Sequence, residues 1–405
     1  MLVGGYALSS ACETICHASN AYDAFSKSCV TPRFGVGKTC AKVILFGEHS
    51  VVYGYPAVAL PLRNLCMRAT VSNECTFNFE LDKSFELKSK TTSLNSTNSL
   101  SSLNSHSGVT SFGNVGTSAQ DSVHDNIDDS VRSNINNNID DNIVFSALGF
   151  TGLLRNIPPR FSSIRTAIHC ALDFAGWDGE RLYVLTESDF PPERGLGSSA
   201  ASAGAIIRAI LDYYGIDANQ SQLFSLTQQA ERVAHGRPSG LDAVATSSLL
   251  PVKYCNGSFD YMNINMRAWI VLADSGLKGM TRVTVEDLRK KRDENPTFVN
   301  SLLQELGDIA LSAEDDLLNG SSENVGIKMI RAHRILDKLG ISTPLLNDLV
   351  DAAYSNGALG AKLTGGGGGG CVIAIADSED CAYKVSDAFK SAGAKKTWIV
   401  DISGK

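Results

Sequence analysis

The chain has 405 residues, of which 43% are hydrophobic and 20% charged, and its formal net charge is −7. This length is sufficient for two ordinary domains, each with its own buried core. The acidic balance argues against a nucleic-acid-binding surface, and no apolar run is long enough to span a bilayer. We therefore expect neither nucleic acid nor a membrane as a partner.

The ten cysteines are scattered from Cys12 to Cys381 without a CxxC pair. This distribution indicates the reduced thiols of a cytoplasmic protein, since a disulfide framework or a zinc site would have closer spacings. Cys12, Cys16 and His17 come nearest to a metal site, but no second ligand pair follows, so we interpret their proximity as chance. Residues 1–20 lack the basic start and apolar stretch of a signal peptide, and export is not expected.

Composition divides the chain into zones. Residues 1–33 show no clear periodicity and are interpreted as a flexible N-terminal extension. In residues 91–140, Ser, Asn, Thr and Asp fill 31 of 50 positions. Such a stretch cannot bury enough apolar surface to offset the entropy of ordering it. We predict a disordered surface insertion at about 88–142 within a first domain of residues 34–250, followed by a second domain of residues 251–405.

Elsewhere, apolar periodicity predicts alternating strands and helices. A strand at 42–46 leads into the turn Gly47-Glu48-His49-Ser50 and a second apolar stretch at 51–62. Further strands are predicted at 181–186, 269–273, 371–376 and 397–402. Helices are predicted at 162–175, 200–214, about 220–234, 308–318, 329–339, 345–354 and 382–392. This alternation, with a break near residue 250, predicts two α+β domains.

Residues 35–39, Gly-Val-Gly-Lys-Thr, look like a Walker A phosphate loop. That motif needs another glycine five positions before its GKT glycine, where this chain has Pro32, and it must open a helix. Here the sequence continues into the strand at 42–46. We interpret the match as chance.

A better candidate for phosphate binding is the loop Gly195-Leu196-Gly197-Ser198-Ser199, called the phosphate loop below. It follows a predicted strand and opens a predicted helix, where unpaired backbone amides bind anions. The glycines let the backbone approach phosphate, and the serine hydroxyls can reach phosphate or magnesium. By itself the pattern also fits a glycine turn with a serine N-cap.

Two carboxylates follow this loop. Glu231 lies near the end of the predicted helix at 220–234, and Asp242 lies on the Gly/Pro-containing turn after it. Phosphoryl transfer from ATP needs one carboxylate to hold Mg²⁺ and another to orient or deprotonate the attacking hydroxyl. Taken singly, Glu231 also fits a solvated helix residue and Asp242 a helix cap.

Six consecutive glycines at 365–370 run directly into the predicted strand at 371–376. Each glycine costs about 0.5–1 kcal/mol relative to alanine in regular structure. A flexible linker would seldom lead straight into a buried strand. We predict that this run closely approaches a ligand or the catalytic loop.

Together, residues 42–57, the phosphate loop, residues 235–242 and residues 362–365 resemble the GHMP kinase superfamily, and within it the mevalonate kinases. The resemblance implies a two-domain α+β fold, with an N-terminal ribosomal-S5-like ATP domain and a C-terminal ferredoxin-like domain. It also implies ATP-dependent phosphorylation of mevalonate to 5-phosphomevalonate, with Mg²⁺ as cofactor, and leaves a homodimer open. Phosphomevalonate kinase, other GHMP kinases and a catalytically inactive metabolite-binding paralogue stay as alternatives.

Matching the motifs position by position implies individual roles. Asp242 corresponds to the catalytic base, and Lys42 to the lysine that bridges the acceptor hydroxyl and the transferred phosphoryl group. Ser199 and Glu231 correspond to magnesium ligands. Three further residues align with substrate-side positions: Glu48, His49 and Thr281.

Two positions depart from the pattern of the family. Many animal mevalonate kinases have Gly-Ala ahead of the phosphate loop, whereas this chain has Glu193-Arg194. The sequence leaves open whether the Arg194 side chain approaches phosphate or points to solvent.

Overall fold

The computed structural model describes residues 33–75, 138–236 and 238–403. The predictions for residues 1–32, including Cys12, Cys16 and His17, and for most of the insertion lie outside these ranges. None of the described helices combines the length and the apolar character that crossing a lipid bilayer requires.

The first sheet has seven strands: β1 (Phe34–Phe46), β2 (Ala57–Ser72), β3 (Ile143–Ala147), β4 (Phe150–Leu153), β5 (Leu182–Ser188), β6 (Val252–Cys255) and β7 (Ser258–Tyr261). Their order is β4-β3-β5-β2-β6-β7, with β1 also paired with β2. The long strand β2 joins the sheet together, because it pairs antiparallel with β1, β5 and β6. The β3–β5 pair is parallel.

Besides a short helical segment at 138–142, the described residues of this part of the chain form the helices α1 (Ser162–Ala175), α2 (Ser198–Tyr213), α3 (Gln220–His235) and α4 (Leu241–Ala245). The small residues of α2 let it pack closely on β1. A Cβ atom at Gly37 would lie only 1.9 Å from the carbonyl oxygen of Ala205 in α2. The Walker-like residues 35–39 thus form part of a strand packed on a helix, and the chance-match interpretation is confirmed.

The second sheet has four strands: β8 (Trp269–Asp274), β9 (Gly360–Thr364), β10 (Cys371–Ala376) and β11 (Lys396–Asp401). Their order is β11-β8-β10-β9, and every neighbouring pair is antiparallel. The helices around it are α5 (Thr281–Glu294), α6 (Pro296–Asn319), α7 (Ser322–Lys338), α8 (Pro344–Ser355) and α9 (Glu379–Ser391). All residues of β9 and β10 are buried, and β10 is accordingly a continuous apolar run.

Sheet membership differs from the predicted domain boundary at 250/251. Strand β6 pairs with β2 through residues 252–254, and β7 pairs with β6. Residues 252–261 therefore belong to the first sheet, and the second sheet begins at Trp269. The break near residue 250 is therefore a turn within the first sheet. The sequence did not predict this, because the pairing of β6 with β2 is a long-range contact that local periodicity does not reveal.

The end of the predicted insertion is ordered. Residues 138–142 are helical, and Ile139 and Asp140 are buried. The Asp140 carboxylate accepts a hydrogen bond from Arg165 Nε at 3.1 Å and lies 2.8 Å from His169 Nε2. The prediction of disorder is wrong for this final segment, because its partners are on α1 and local composition does not show them. The rest of the insertion lies outside the described residues.

Candidate active site

A cavity of about 1130 Å³ lies between the first sheet with its helices and segments that flank the second sheet. Its walls come from β1, the phosphate loop, α3, the turn before α4, the start of α5 and the glycine run. Six residues singled out from the sequence line it: Lys42, His49, Gly195, Glu231, Asp242 and Thr281. A cavity of this size and mixed polarity is typical of a small-molecule site.

Lys42 and Asp242 form an ion pair in the wall of this cavity. The Lys42 ammonium nitrogen lies 2.9 Å from Asp242 Oδ1 and donates to the carbonyl oxygen of Gly195 at 3.2 Å. The Lys42 side chain is 2% exposed, whereas that of Asp242 is 42% exposed. The carboxylate is therefore accessible to a ligand, and the ammonium is held between it and the phosphate loop.

The phosphate loop opens α2 as predicted. Its glycines take backbone conformations that side chains disfavour, with φ of 78° at Gly195 and 72° at Gly197. The Leu196 carbonyl accepts from the Lys42 amide at 3.0 Å, which ties the loop to β1. Ser198 Oγ accepts from the Glu193 amide at 3.2 Å, so this hydroxyl closes the loop on itself.

The Ser199 hydroxyl faces Glu231 across the start of α2. Ser199 Oγ donates to Glu231 Oε1 at 2.6 Å, and the Glu231 residue is 2% exposed. Ser163, at the start of α1, completes the cluster, with its Oγ 3.4 Å from Glu231 Oε1 and 3.3 Å from Ser199 Oγ. Ser163 was not predicted from the sequence, because a serine in the first turn of a helix usually signals only a cap.

This oxygen cluster suits a hard cation. Magnesium takes oxygen ligands and is usually bound by one or two carboxylates, completed by waters and substrate phosphates. Among the described residues, no group of three or more His, Cys, Asp or Glu side chains could hold a metal by itself. Ser199 and Glu231 offer one hydroxyl and one carboxylate, which are oxygen ligands of this kind.

His49 lies in the turn after β1 with a positive φ of 61°. Its Nε2 is 3.0 Å from the carbonyl oxygen of Gly366. Because a carbonyl only accepts, Nε2 carries the proton and Nδ1 holds the lone pair. Burial lowers the His49 pKa to about 4, so the ring is neutral at physiological pH. The ring therefore carries no charge toward an anionic ligand, and its Nδ1 is buried without a hydrogen-bond partner among the described residues.

Glu48, which the resemblance aligns with a substrate-side position, is not among the described residues that line the cavity. It is fully buried, and its Oε1 pairs with the ammonium of Lys362 on β9, which is equally buried. The structure thus places Glu48 behind the cavity wall, where its partner is this lysine. Lys362 was recognised only as part of a motif, because its partner is distant in sequence.

The glycine run packs its backbone against the phosphate loop. A Cβ atom at Gly365 would lie 2.9 Å from Gly195 Cα, and one at Gly366 would lie 2.0 Å from Thr281 Oγ1. Side chains at these positions would push the two halves of the site apart. The predicted close approach to the catalytic loop is confirmed.

Comparison with known families agrees with this geometry. Residues 163–249 match the family model of the GHMP kinases N terminal domain, and residues 313–395 match that of the GHMP kinases C terminal. The chain is 30% identical to a mevalonate kinase of Thermococcus gammatolerans over 360 residues, covering 87% of this chain and 92% of the relative. It is 29% identical to a mevalonate kinase of Pyrococcus furiosus, again covering 87% of this chain and 92% of the relative.

Solved structures show the same fold. The L. major mevalonate kinase in complex with R-mevalonate superposes with a TM-score of 0.66 at 22% identity, covering 92% of this chain and 97% of that one. A Streptococcus pneumoniae phosphomevalonate kinase in complex with phosphomevalonate and AMPPNP gives a TM-score of 0.63 at 17% identity, covering 90% and 99%. Both predicted components, the GHMP kinase N-terminal and C-terminal domains, are therefore present. On the identity and coverage of its sequence relatives, the chain belongs to the mevalonate kinase family of GHMP kinases.

Proposed function

We propose that this protein transfers the γ-phosphoryl group of ATP to the primary hydroxyl of mevalonate, giving 5-phosphomevalonate and ADP. Family membership supports this activity, since the relatives that match most of the chain are mevalonate kinases. The observation that carries it is the Lys42–Asp242 ion pair, 2.9 Å long, held beside the phosphate loop at an open cavity.

The phosphates of ATP would bind at the start of α2. The first amides of a helix lack intrahelical partners and attract anions, and the glycines of the phosphate loop leave room for close approach. Ser199 and Glu231 would hold a magnesium ion. When bound, this ion supplies positive charge that neutralises the phosphate oxygens.

Asp242 would receive the proton of the substrate hydroxyl. As the hydroxyl oxygen bonds to the γ-phosphorus, the bond from that phosphorus to the bridging oxygen breaks and its electron pair leaves with ADP. The hydroxyl proton moves to the Asp242 carboxylate. The neighbouring Lys42 ammonium stabilises negative charge that develops on the transferred group.

We also propose His49 and Thr281 as substrate contacts. Both line the cavity, where they can contact a bound substrate. Glu48 would act indirectly, by fixing the turn that carries His49. A cytoplasmic location is proposed from the scattered cysteines, which lack the close spacings of a disulfide framework, as is usual for thiols in reducing compartments.

The experiment is a substrate comparison with the purified protein. Mevalonate, 5-phosphomevalonate, galactose and homoserine would each be incubated with ATP and Mg²⁺, and the products resolved by phosphorus NMR. We expect 5-phosphomevalonate from mevalonate at about 1–100 turnovers per second, the usual range for kinases, with the other alcohols far slower. Preferential turnover of 5-phosphomevalonate would assign the chain to phosphomevalonate kinase, and no turnover of any alcohol would favour a non-catalytic binding role.

A further inference from the structure

Arg194 immediately precedes the phosphate loop, and its side chain turns toward the second sheet. Its Nε lies 2.9 Å from Oδ1 of Asp274, at the end of β8. Its Nη2 donates to the carbonyl oxygen of Gly276 at 3.3 Å. The Arg194 side chain is only 16% exposed and that of Asp274 only 7% exposed. Arg194 therefore binds a carboxylate on the opposite half of the molecule.

The surroundings of Asp274 make this contact specific. Asp274 Oδ1 also accepts from the Gly276 amide at 2.8 Å, which fixes the carboxylate in place. The Arg194 Nε–H does not point along the line to Oδ1, so the contact is an ion pair rather than a linear hydrogen bond. Removing one partner from a shielded pair leaves the other charge uncompensated.

The neighbouring pair between Glu193 and Lys278 is different. Its atoms are 2.5 Å apart, but the side chains are 55% and 73% exposed, and exposed pairs contribute little. Backbone contacts accompany both pairs, with the Gly279 amide donating to the Glu193 carbonyl at 2.9 Å. The shielded charge contact that joins the loop to β8 is therefore Arg194–Asp274.

The consequence for the site follows from the next residue along the chain. Gly195 gives its carbonyl to the Lys42 ammonium, which in turn pairs with Asp242. A shift of Arg194 would move this carbonyl and the amides at the start of α2 together. Misplacing such groups by about 1 Å can reduce catalysis by about a hundredfold.

We propose that Arg194 is a positioning residue, whose ion pair with Asp274 holds the phosphate loop against the second sheet in the geometry that binds ATP. The inference rests on the proposed function only in taking ATP phosphates as the ligand of the loop. It assigns Arg194 no contact with phosphate.

The decisive variant is Asp274→Asn, measured with trinitrophenyl-ATP and Mg²⁺ in the absence of any acceptor alcohol. Asparagine keeps the oxygen that accepts from the Gly276 amide but loses the charge that holds Arg194. If Asp274 acted only through its electric field, removing its negative charge near the phosphates would tighten ATP binding. The positioning role predicts the opposite, a loss of affinity between about tenfold and a hundredfold.

The variants Arg194→Met and Arg194→Met/Asp274→Asn complete a double-mutant cycle. Because both single changes break the same contact, the double variant should bind the nucleotide no more weakly than the worse single variant. The KM for mevalonate should stay within about twofold of wild type. The control is Asp189→Asn, which breaks an exposed ion pair of equal 2.9 Å length with Arg68 and should leave nucleotide affinity unchanged.

Three results would overturn the inference: unchanged or tighter nucleotide binding by Asp274→Asn, losses that add in the double variant, or an equal rise in the KM for mevalonate. Melting temperatures of the four variants, compared with that of wild type, verify that each variant is folded. If wild-type protein phosphorylates none of the alcohols but shows this binding pattern, the proposed function fails while the role of Arg194 stands.

Discussion

Lys362 and Glu48 form an ion pair in which neither side chain has any exposed surface. The pair joins β9 of the second sheet to the turn that follows β1 in the first. Burial raises the pKa of Glu48 and lowers the pKa of Lys362, and their mutual attraction opposes both shifts. The charged state therefore depends on both partners being present.

Lys362→Met should lower the free energy of unfolding by about 3–5 kcal/mol, because it leaves the Glu48 carboxylate buried without a counter-charge. Urea titration would measure the change. The double variant Glu48→Leu/Lys362→Met replaces the pair by apolar groups of similar size and should recover most of that loss. In the control Arg331→Met, an exposed partner of Glu305 is removed, at a cost below about 1 kcal/mol. Equal stability of Lys362→Met and Arg331→Met would contradict a structural role for the buried pair.

Acidification should weaken the fold through His49. Its pKa falls from 6.5 to about 4 on burial, so below pH 6.5 the unfolded chain takes up a proton that the folded chain does not. The contribution is complete above pH 6.5 and is lost as the pH falls to about 4. Relative to His49→Gln, which does not titrate, wild type should lose on the order of 3 kcal/mol between pH 7 and pH 4.

This pH effect is the difference between wild type and His49→Gln when the free energy of unfolding of each protein is measured as a function of pH. The backbone strain at φ 61° affects both proteins at every pH and cancels. Other buried groups, such as His333, also cancel. Two curves that run parallel between pH 7 and pH 4 would show that His49 does not titrate as its burial requires.

Elements with strong local patterns were predicted well from the sequence. The helix at 162–175 coincides with α1 (Ser162–Ala175), and the strand at 371–376 with β10. Helix α5 was missed because Leu288 is its only fully buried residue, so it has no apolar stripe to reveal it. The first eight residues of β1 were also missed, because glycines at 35 and 37 hide a strand whose side chains alternate in exposure.

The residues of the site also differ in how well the sequence predicts them. Motifs located Lys42, Glu231 and Asp242, which line one cavity, and Ser199, whose hydroxyl donates to Glu231. Partners of motif residues could not be predicted, because contacts such as Arg194–Asp274 join segments that are distant in sequence and carry no local signal. The same long-range pairing placed β6 and β7 in the first sheet.

The variant Lys38→Ala tests whether residues 35–39 act as a Walker A loop or only as part of a strand. In a Walker A loop the corresponding lysine contacts the ATP phosphates, and its loss would abolish activity. Here Lys38 is exposed within β1, so the KM for ATP and kcat should equal those of wild type. A large rise in the KM for ATP would mean that residues 35–39 do bind nucleotide.

Glu231→Gln tests the magnesium site. A neutral amide binds Mg²⁺ more weakly than a carboxylate, so the activity curve should shift to higher Mg²⁺ concentration. Ser163→Ala, which removes a hydroxyl 3.4 Å from Glu231 Oε1, should shift it in the same direction but less. The matched control is Glu187→Gln on β5, an exposed carboxylate. A Glu231→Gln curve that superposes on the wild-type curve would exclude metal ligation by this residue.

Asp242→Asn should fold normally, because its side chain is 42% exposed and the amide has nearly the same shape. The amide cannot accept the proton of the substrate hydroxyl, so kcat should fall by about 10²–10⁴. ATP binding should persist, since the phosphate loop and the Ser199–Glu231 pair are untouched. Asp260→Asn, an exposed change on β7, controls for the lost charge. Near-normal turnover of Asp242→Asn would mean that another group takes the proton, and the 2.9 Å contact with Lys42 would then serve only to hold the lysine in place.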